Sequence, residues 1–202
     1  MEIDKKVVSL IIAPERDSDG NLTKYLLDFE GDGNPLIYNS IFESKQSNVE
    51  VTYVFTDSSD LYIESLDFGA DHVLNMGEER KFFTEPDENE VLNTKTYENI
   101  IYNFSDTVSV DFDVLVVINP SFPFVNREYI NKSIDMVLSD GYDFVFCGKE
   151  EVNDNYSQNI EGSMLLVLNK YSLVENSIRF SYSKVGFVEV SSKDSLVIIN
   201  GG

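Results

Sequence analysis

The chain has 202 residues and carries 36 Asp and Glu against 15 Lys and Arg, a formal net charge of −21. That field repels nucleic acid and anionic lipid, and no local basic cluster offsets it, so neither a nucleic-acid nor a membrane partner is expected. The length suits a single domain over 1–202 with a sizeable core, and 42% hydrophobic content is ordinary for a globular protein.

The opening segment, MEIDKKVVSLIIAPE, sets two lysines before a short apolar run and then Pro14 and Glu15, which is not the pattern of a secretory leader. No window stays apolar for long enough to cross a bilayer. From there, apolar runs alternate with helix-period segments. VVSLIIA (7–13) predicts a strand, and NPLIYNSIFESKQS (34–47) a helix with Ile37 and Ile41 one turn apart. VEVTYVFT (49–56) predicts the next strand. SSDLYIESLDFG (58–69) opens with N-cap residue types and closes at Gly69, a helix stop. The acidic stretch 77–91 reads as an exposed loop.

Helix periodicity returns in TKTYENIIYNFSD (94–106), which sets Tyr97, Ile100, Ile101 and Phe104 on one face. DVLVVIN (113–119) is a strand, followed by NREYINKSIDMVLSDG (126–141) with a stripe of Ile130, Ile134, Val137 and Leu138. Four more strands are predicted over 143–148, 164–169, 185–190 and 195–199. Continuous hydrophobicity in the 7–13 and 113–119 runs predicts burial on both faces, as in a parallel sheet. The alternation predicts an α/β, Rossmann-like fold: right-handed βαβ units in a doubly wound, mostly parallel sheet, with a small, partly antiparallel C-terminal part.

The only cysteine, Cys147, excludes an internal disulfide and fits a reducing cytoplasm. Within DFVFCG it reads as an inert buried thiol. The only histidine, His72, excludes a multi-histidine metal site and reads as a surface or capping residue. In open α/β sheets, ligands bind beyond the carboxyl ends of the strands. That rule directs attention to the loops 14–33, 57–60 and 119–126 and to the segment after 148.

Four of these tips, in order, carry a likeness: IIAPERDSDGNLTKYLLDFEGDGNPLIYNSI, VFTDSSDLYIESLDFGADHV, VINPSFPFVN and IEGSMLLVLNKYSLV. They resemble the cytidylyltransferases that couple CTP to acidic sugars, the CMP-sialic acid and CMP-Kdo synthetase family. In that family the corresponding stretches are an Ala-Arg-rich, Gly-Ser-Lys loop, a Ser-Thr-Asp strand end, a Leu-Gln-Pro-Thr-Ser-Pro-Leu-Arg turn and an Asn-Gly-Ala strand start. The resemblance implies a nucleotide-diphospho-sugar-transferase fold and a nucleotide or acidic-sugar ligand. It also implies transfer of CMP to an N-acylneuraminate-type sugar, in surface-polysaccharide metabolism. The alternative is a catalytically inactive homologue that keeps the fold and ligand binding.

Nucleotidyl transfer needs cations and amides around the triphosphate, a metal on the phosphate oxygens and a hydroxyl aimed in line. The resemblance places Arg16 and Lys24 on the phosphates as the catalytic cations. It places Ala13, Asp57, Asn119, Ser121 and Arg127 around the nucleotide or sugar. Arg127 stands in for an arginine that the family has one position earlier, where this chain has Asn126. Each assignment has a plain structural counterpart. APERDSDGNLTK, with Glu15, Asp17 and Asp19, also reads as a solvated acidic turn. Asp57 also reads as the cap of helix 58–69, and Asn119 and Ser121 as turn and helix-cap residues. The family's magnesium carboxylates fall on Val197 and Ile199, or in a second register near Ser191 and Asp194, so the expected pair of metal ligands is missing. The family's dimer-building insertion is reduced here to KEEVNDNYSQNI, which implies a monomer or a different dimer.

Overall fold

The computed structural model describes residues 5–15, 23–28, 33–75, 100–105, 111–148, 163–174, 177–178 and 184–190. The expectations for Arg16, the loop 77–91, the insertion remnant up to 160 and the strand 195–199 lie outside these residues.

Continuous apolar runs become buried strands. β1 (Val7–Ile12) and β4 (Val114–Ile118) are buried at every position. β5 (Phe144–Gly148) is equally dry, β2 (Val51–Thr56) and β6 (Leu165–Asn169) are nearly so, and β9 (Val185–Glu189) is partly exposed. The helices are α1 (Leu36–Lys45), α2 (Ser59–Asp67), α3 (100–105) and α4 (Arg127–Leu138). All of these fall within the segments predicted from periodicity. Three strands were not predicted: β3 (His72–Asn75), β7 (Leu173–Val174) and β8 (Ser177–Ile178). HVLN holds only two apolar residues and pairs solely with β2, at one edge of the sheet, so it carries no periodic signal of its own. His72 thus begins an edge strand, exposed and stacked on Tyr53 with centroids 4.9 Å apart, and is not a helix cap.

The strands form one seven-stranded sheet in the order β3-β2-β1-β4-β6-β5-β9, and β7 and β8 make a separate two-stranded ribbon. Every pairing in the large sheet is parallel except those of β6, which runs antiparallel between β4 and β5. Alternate strand residues feed two cores. Val7, Ile11, Val54, Val116, Ile118, Val145 and Val167 meet Ile37 and Ile41 of α1, Leu61 of α2 and Ile130 and Ile134 of α4. Val8, Leu10, Tyr53, Leu115, Phe144 and Phe146 meet Ile100, Ile101 and Phe104 of α3, with Phe112.

That partition sets the crossover hands. α1 and α2 cover the first face as the chain moves from β1 to β2 to β3. α4 covers the same face as the chain moves the opposite way, past β6 to β5. Two crossovers over one face in opposite directions have opposite hands, so the expectation of uniformly right-handed units fails at β4–α4–β5. α4 is held on this side by α1: Arg127 binds Glu43, and Asn131 accepts the Asn48 amide at 2.8 Å.

In the same last turn of α1, the Ser44 hydroxyl meets those of Ser9 at 2.7 Å and Thr52 at 2.9 Å. Ser9 and Thr52 are register partners in the first half of their strands. α1 therefore runs back from the strand tips, with Glu43 and Ser44 toward the strands' amino ends.

Candidate functional site

The carboxyl tips of β1, β2 and β4 and the amino end of the antiparallel β6 converge on one edge of the sheet. Ala13 ends the β1 run, fully buried, with its amide on the Phe55 carbonyl at 2.8 Å. Beyond it the chain leaves as Pro14-Glu15 and returns as Thr23-Lys24. The Thr23 amide donates to the Glu15 carbonyl at 2.8 Å, and its hydroxyl donates to the Pro14 carbonyl at 2.8 Å. These contacts close the loop at its base. They set Lys24 beside Pro14-Glu15, with no ion pair to its ammonium among the described residues.

Asp57 lies at the tip of β2 and accepts the Glu15 amide at 2.6 Å. The α2 cap is Ser58, whose hydroxyl accepts from the Leu61 amide. The capping role considered for Asp57 therefore belongs to its neighbour. Asp57 instead ties the β1 loop to the β2 tip and remains exposed.

The β4 tip is bound more deeply. Asn119 is 8% exposed. Its amide donates to the Met164 carbonyl at 3.1 Å, and its side-chain oxygen accepts the Ser121 amide at 3.0 Å. Asn119 thus satisfies a turn amide. Ser121 does not cap α4: that role falls to Asn126, whose side chain accepts from the Glu128 and Tyr129 amides. Asn119 bonds the residue just before β6, and the Met164 amide in turn reaches Cys147 at the end of β5. Ser163, buried at 7% exposure, therefore stands at the same edge. It was not singled out from sequence, because only an antiparallel β6 brings its amino end to the tips of its neighbours.

Arg127 is placed elsewhere. Its guanidinium makes a two-pronged pair with Glu43, Nε to Oε2 at 2.9 Å and Nη2 to Oε1 at 2.9 Å, while its own amide also donates to Oε2 at 2.8 Å. The hydrogen bond to Glu43 raises its pKa above the ordinary arginine value. Glu43 lies in the last turn of α1, so this cation is committed away from the strand tips. Ala13, Asp57, Asn119 and Ser121 come together at one edge; Arg127 does not join them. Cys147 is buried beneath the site with its thiol pushed up to about 12 by desolvation, a little offset by Lys132, as an inert thiol requires.

The helix N-termini decide what this edge offers an anion. At α1, the Leu36 amide donates to the Leu27 carbonyl, the Ile37 amide to Tyr25 and the Tyr38 amide to Pro35. At α4, the first three amides are taken by Glu43 and Asn126. The α1 end is closed by the chain itself; the α4 end, closed partly by a carboxylate, sits with Glu43 away from the strand tips. No three His, Cys, Asp or Glu side chains gather as a metal-holding group among the described residues. At the positions where the resemblance would set magnesium carboxylates the sequence has Val197 and Ile199, or Ser191 and Asp194 in the second register, so neither register supplies a carboxylate pair.

The sequence matches no protein-family model and no curated protein. Its fold does match solved structures. A 4-diphosphocytidyl-2C-methyl-D-erythritol synthase from Anaerococcus prevotii superposes with a TM-score of 0.63 at 10% identity, covering 97% of this chain and 92% of that one. A CMP:2-keto-3-deoxy-manno-octonic acid synthetase, solved in complex with CTP, gives 0.59 at 15% identity over 93% and 91% of the two chains. Rv0371c from Mycobacterium tuberculosis H37Rv gives 0.61 at 11% identity over 97% and 93%. The chain therefore shares the fold of these structures, a mostly parallel, Rossmann-like α/β sheet. At these identities the likeness is one of fold.

Proposed function

We propose that this chain is a cytidylyltransferase-like protein that binds a cytidine nucleotide or an acidic sugar at the tips of β1, β4 and β6. It is a relative of enzymes that pass CMP from CTP to N-acylneuraminate-type sugars, and it works without their triphosphate chemistry. One observation carries this reading: the first amides of α1, the helix that follows the phosphate-loop position, are already bonded to the carbonyls of Tyr25, Leu27 and Pro35. A triphosphate placed there would meet satisfied donors and the nearby carboxylates of Glu15 and Asp28, in a protein of net charge −21. The Asn119-Pro120-Ser121 turn keeps polar groups and no net charge, which suits a sugar or a base. No step of this function runs through a metal ion.

A second reading, active CMP transfer, draws on Lys24, a cation at the loop base without an ion pair among the described residues. Titration calorimetry with CTP, CMP and a panel of 2-keto acidic sugars, with and without magnesium, separates the two. The proposed function expects binding that is independent of magnesium, weakened by Asn119→Ala and unaccompanied by pyrophosphate release. Magnesium-dependent CTP binding lost in Lys24→Ala, with pyrophosphate released in the presence of one of the sugars, would establish the active enzyme instead. No binding of any of these compounds at millimolar concentration would refute both.

A further inference from the structure

We infer that the outer face of α2, with the adjoining aromatic face of α1, docks a basic amphipathic helix of a protein partner. On α2, Leu61 and Ser65 point inward, while Ser59, Asp60, Ile63, Leu66 and Asp67 are exposed. Ile63 is 57% and Leu66 45% exposed, one turn apart at the i, i+3 spacing that puts them on one face. Asp60 and Asp67 bracket them. Asp60 lies three residues before Ile63 and Asp67 four after it, which sets the two carboxylates about 10 Å apart along the axis.

A second, aromatic surface adjoins the C-terminal end of α2 from α1. Phe42, 37% exposed, stacks on Tyr38 with centroids 5.7 Å apart, and Tyr38 meets Phe68, just past α2, edge-on at 5.3 Å. Arg127, over the Phe42 ring at 5.5 Å, bounds the surface on the α4 side.

Charge selects the occupant. A chain of net charge −21 is repelled by a lipid surface, by nucleic acid and by a second copy of itself. An apolar pair held between two aspartates is complemented by leucine-like side chains held between lysines or arginines at the same seven-residue spacing. That is the pattern of a basic amphipathic helix. The inference rests on α1 and α2 alone and is independent of the function proposed for the strand tips.

The probe is a synthetic, fluorescently labelled helical peptide with lysines seven residues apart flanking two leucines, compared with a peptide of identical composition and scrambled order. Binding is read by anisotropy against salt concentration. The expected result is saturable binding of the patterned peptide, at least about tenfold tighter than the scrambled one. The double variant Ile63→Ser/Leu66→Ser should lose about tenfold or more in affinity. Asp60→Asn/Asp67→Asn should lose less and flatten the salt dependence. All these positions are exposed, and unchanged circular dichroism and melting temperature confirm that each variant is folded. Equal binding of the two peptides, indifference to both double variants, or no binding of the patterned peptide at millimolar concentration would overturn the inference. A dimer in sedimentation velocity that Ile63→Ser/Leu66→Ser dissolves would overturn it too, in favour of a second copy as occupant.

Discussion

The two loops that frame the candidate site are built to opposite plans. The β4 turn is tied into the body of the protein from three sides. Asn119 bonds the approach to β6, Asn39 of α1 donates to the Pro123 and Val125 carbonyls at 2.8 and 3.0 Å, and Glu43 grips Arg127. The β1 loop, among the described residues, is tied at its base by Thr23 to Pro14 and Glu15 and by Asp57 to the Glu15 amide. One loop draws its order from buried partners, the other from exposed local ones. A hydrogen bond to a buried group is costly to lose, because the partner left behind is not rescued by water. The β4 turn is thus suited to hold a fixed ligand contact, whereas the exposed bond of Asp57 at the base of the β1 loop is cheaper to lose.

The largest test of that contrast is Asn119→Ala. Removing the buried side chain leaves the Ser121 amide unmatched and should cost about 1–3 kcal/mol in urea unfolding. If the turn also binds ligand, affinity falls further than the stability loss explains; affinity that simply follows stability would mean the turn is structural only. Asn126→Ala is expected to cost about 1 kcal/mol, since one cap serves two amides of α4. In the other loop, Asp57→Ala should cost at most about 0.5 kcal/mol while speeding hydrogen exchange at the Glu15 amide. A Asp57→Ala loss as large as that of Asn119→Ala would erase the distinction.

The smallest effect lies at neither loop. Burial works to raise the Asp71 pKa, but hydrogen bonds from Lys45 and the Thr52 amide, with the Lys45 and His72 charges, outweigh it and leave the pKa below its ordinary value. A carboxylate depressed in the folded state stabilises above its unfolded pKa, and that stabilisation fades as pH falls through the folded pKa. Wild type should therefore be slightly more stable than Asp71→Asn near neutral pH, and the two should converge in strong acid. A gap that widens on acidification would contradict this assignment.

Asn119 shows how far the sequence reading of the site could reach. An asparagine ending an apolar run before Pro-Ser marks a turn, and the turn is there. The cap alternatives at the β2 and β4 tips resolve in favour of another residue each time: Ser58, one of the N-cap types that open 58–69, caps α2 in place of Asp57, and Asn126 caps α4 in place of Ser121. Capping depends on where the first helical turn closes, and neighbouring polar residues compete for it with nearly equal intrinsic preference. Arg127 was beyond reach of any local reading, because its partner Glu43 is 84 residues away in the chain.

What the sequence determined by itself is the set of long buried elements and their layering. Long dry runs such as 7–12 and 114–118 must lie between two covered faces, and the helix stripes at 37/41 and 130/134 must face them, because apolar burial is local and additive along the chain. Only the tertiary structure decided the reversed β6, the opposite hand of the β4–α4–β5 crossover and the closed N-termini of α1 and α4. Each depends on pairing between segments far apart in the chain. The pattern of hydrophobic residues is the same for a strand running up or down and for a helix crossing in either direction, so it cannot choose between them.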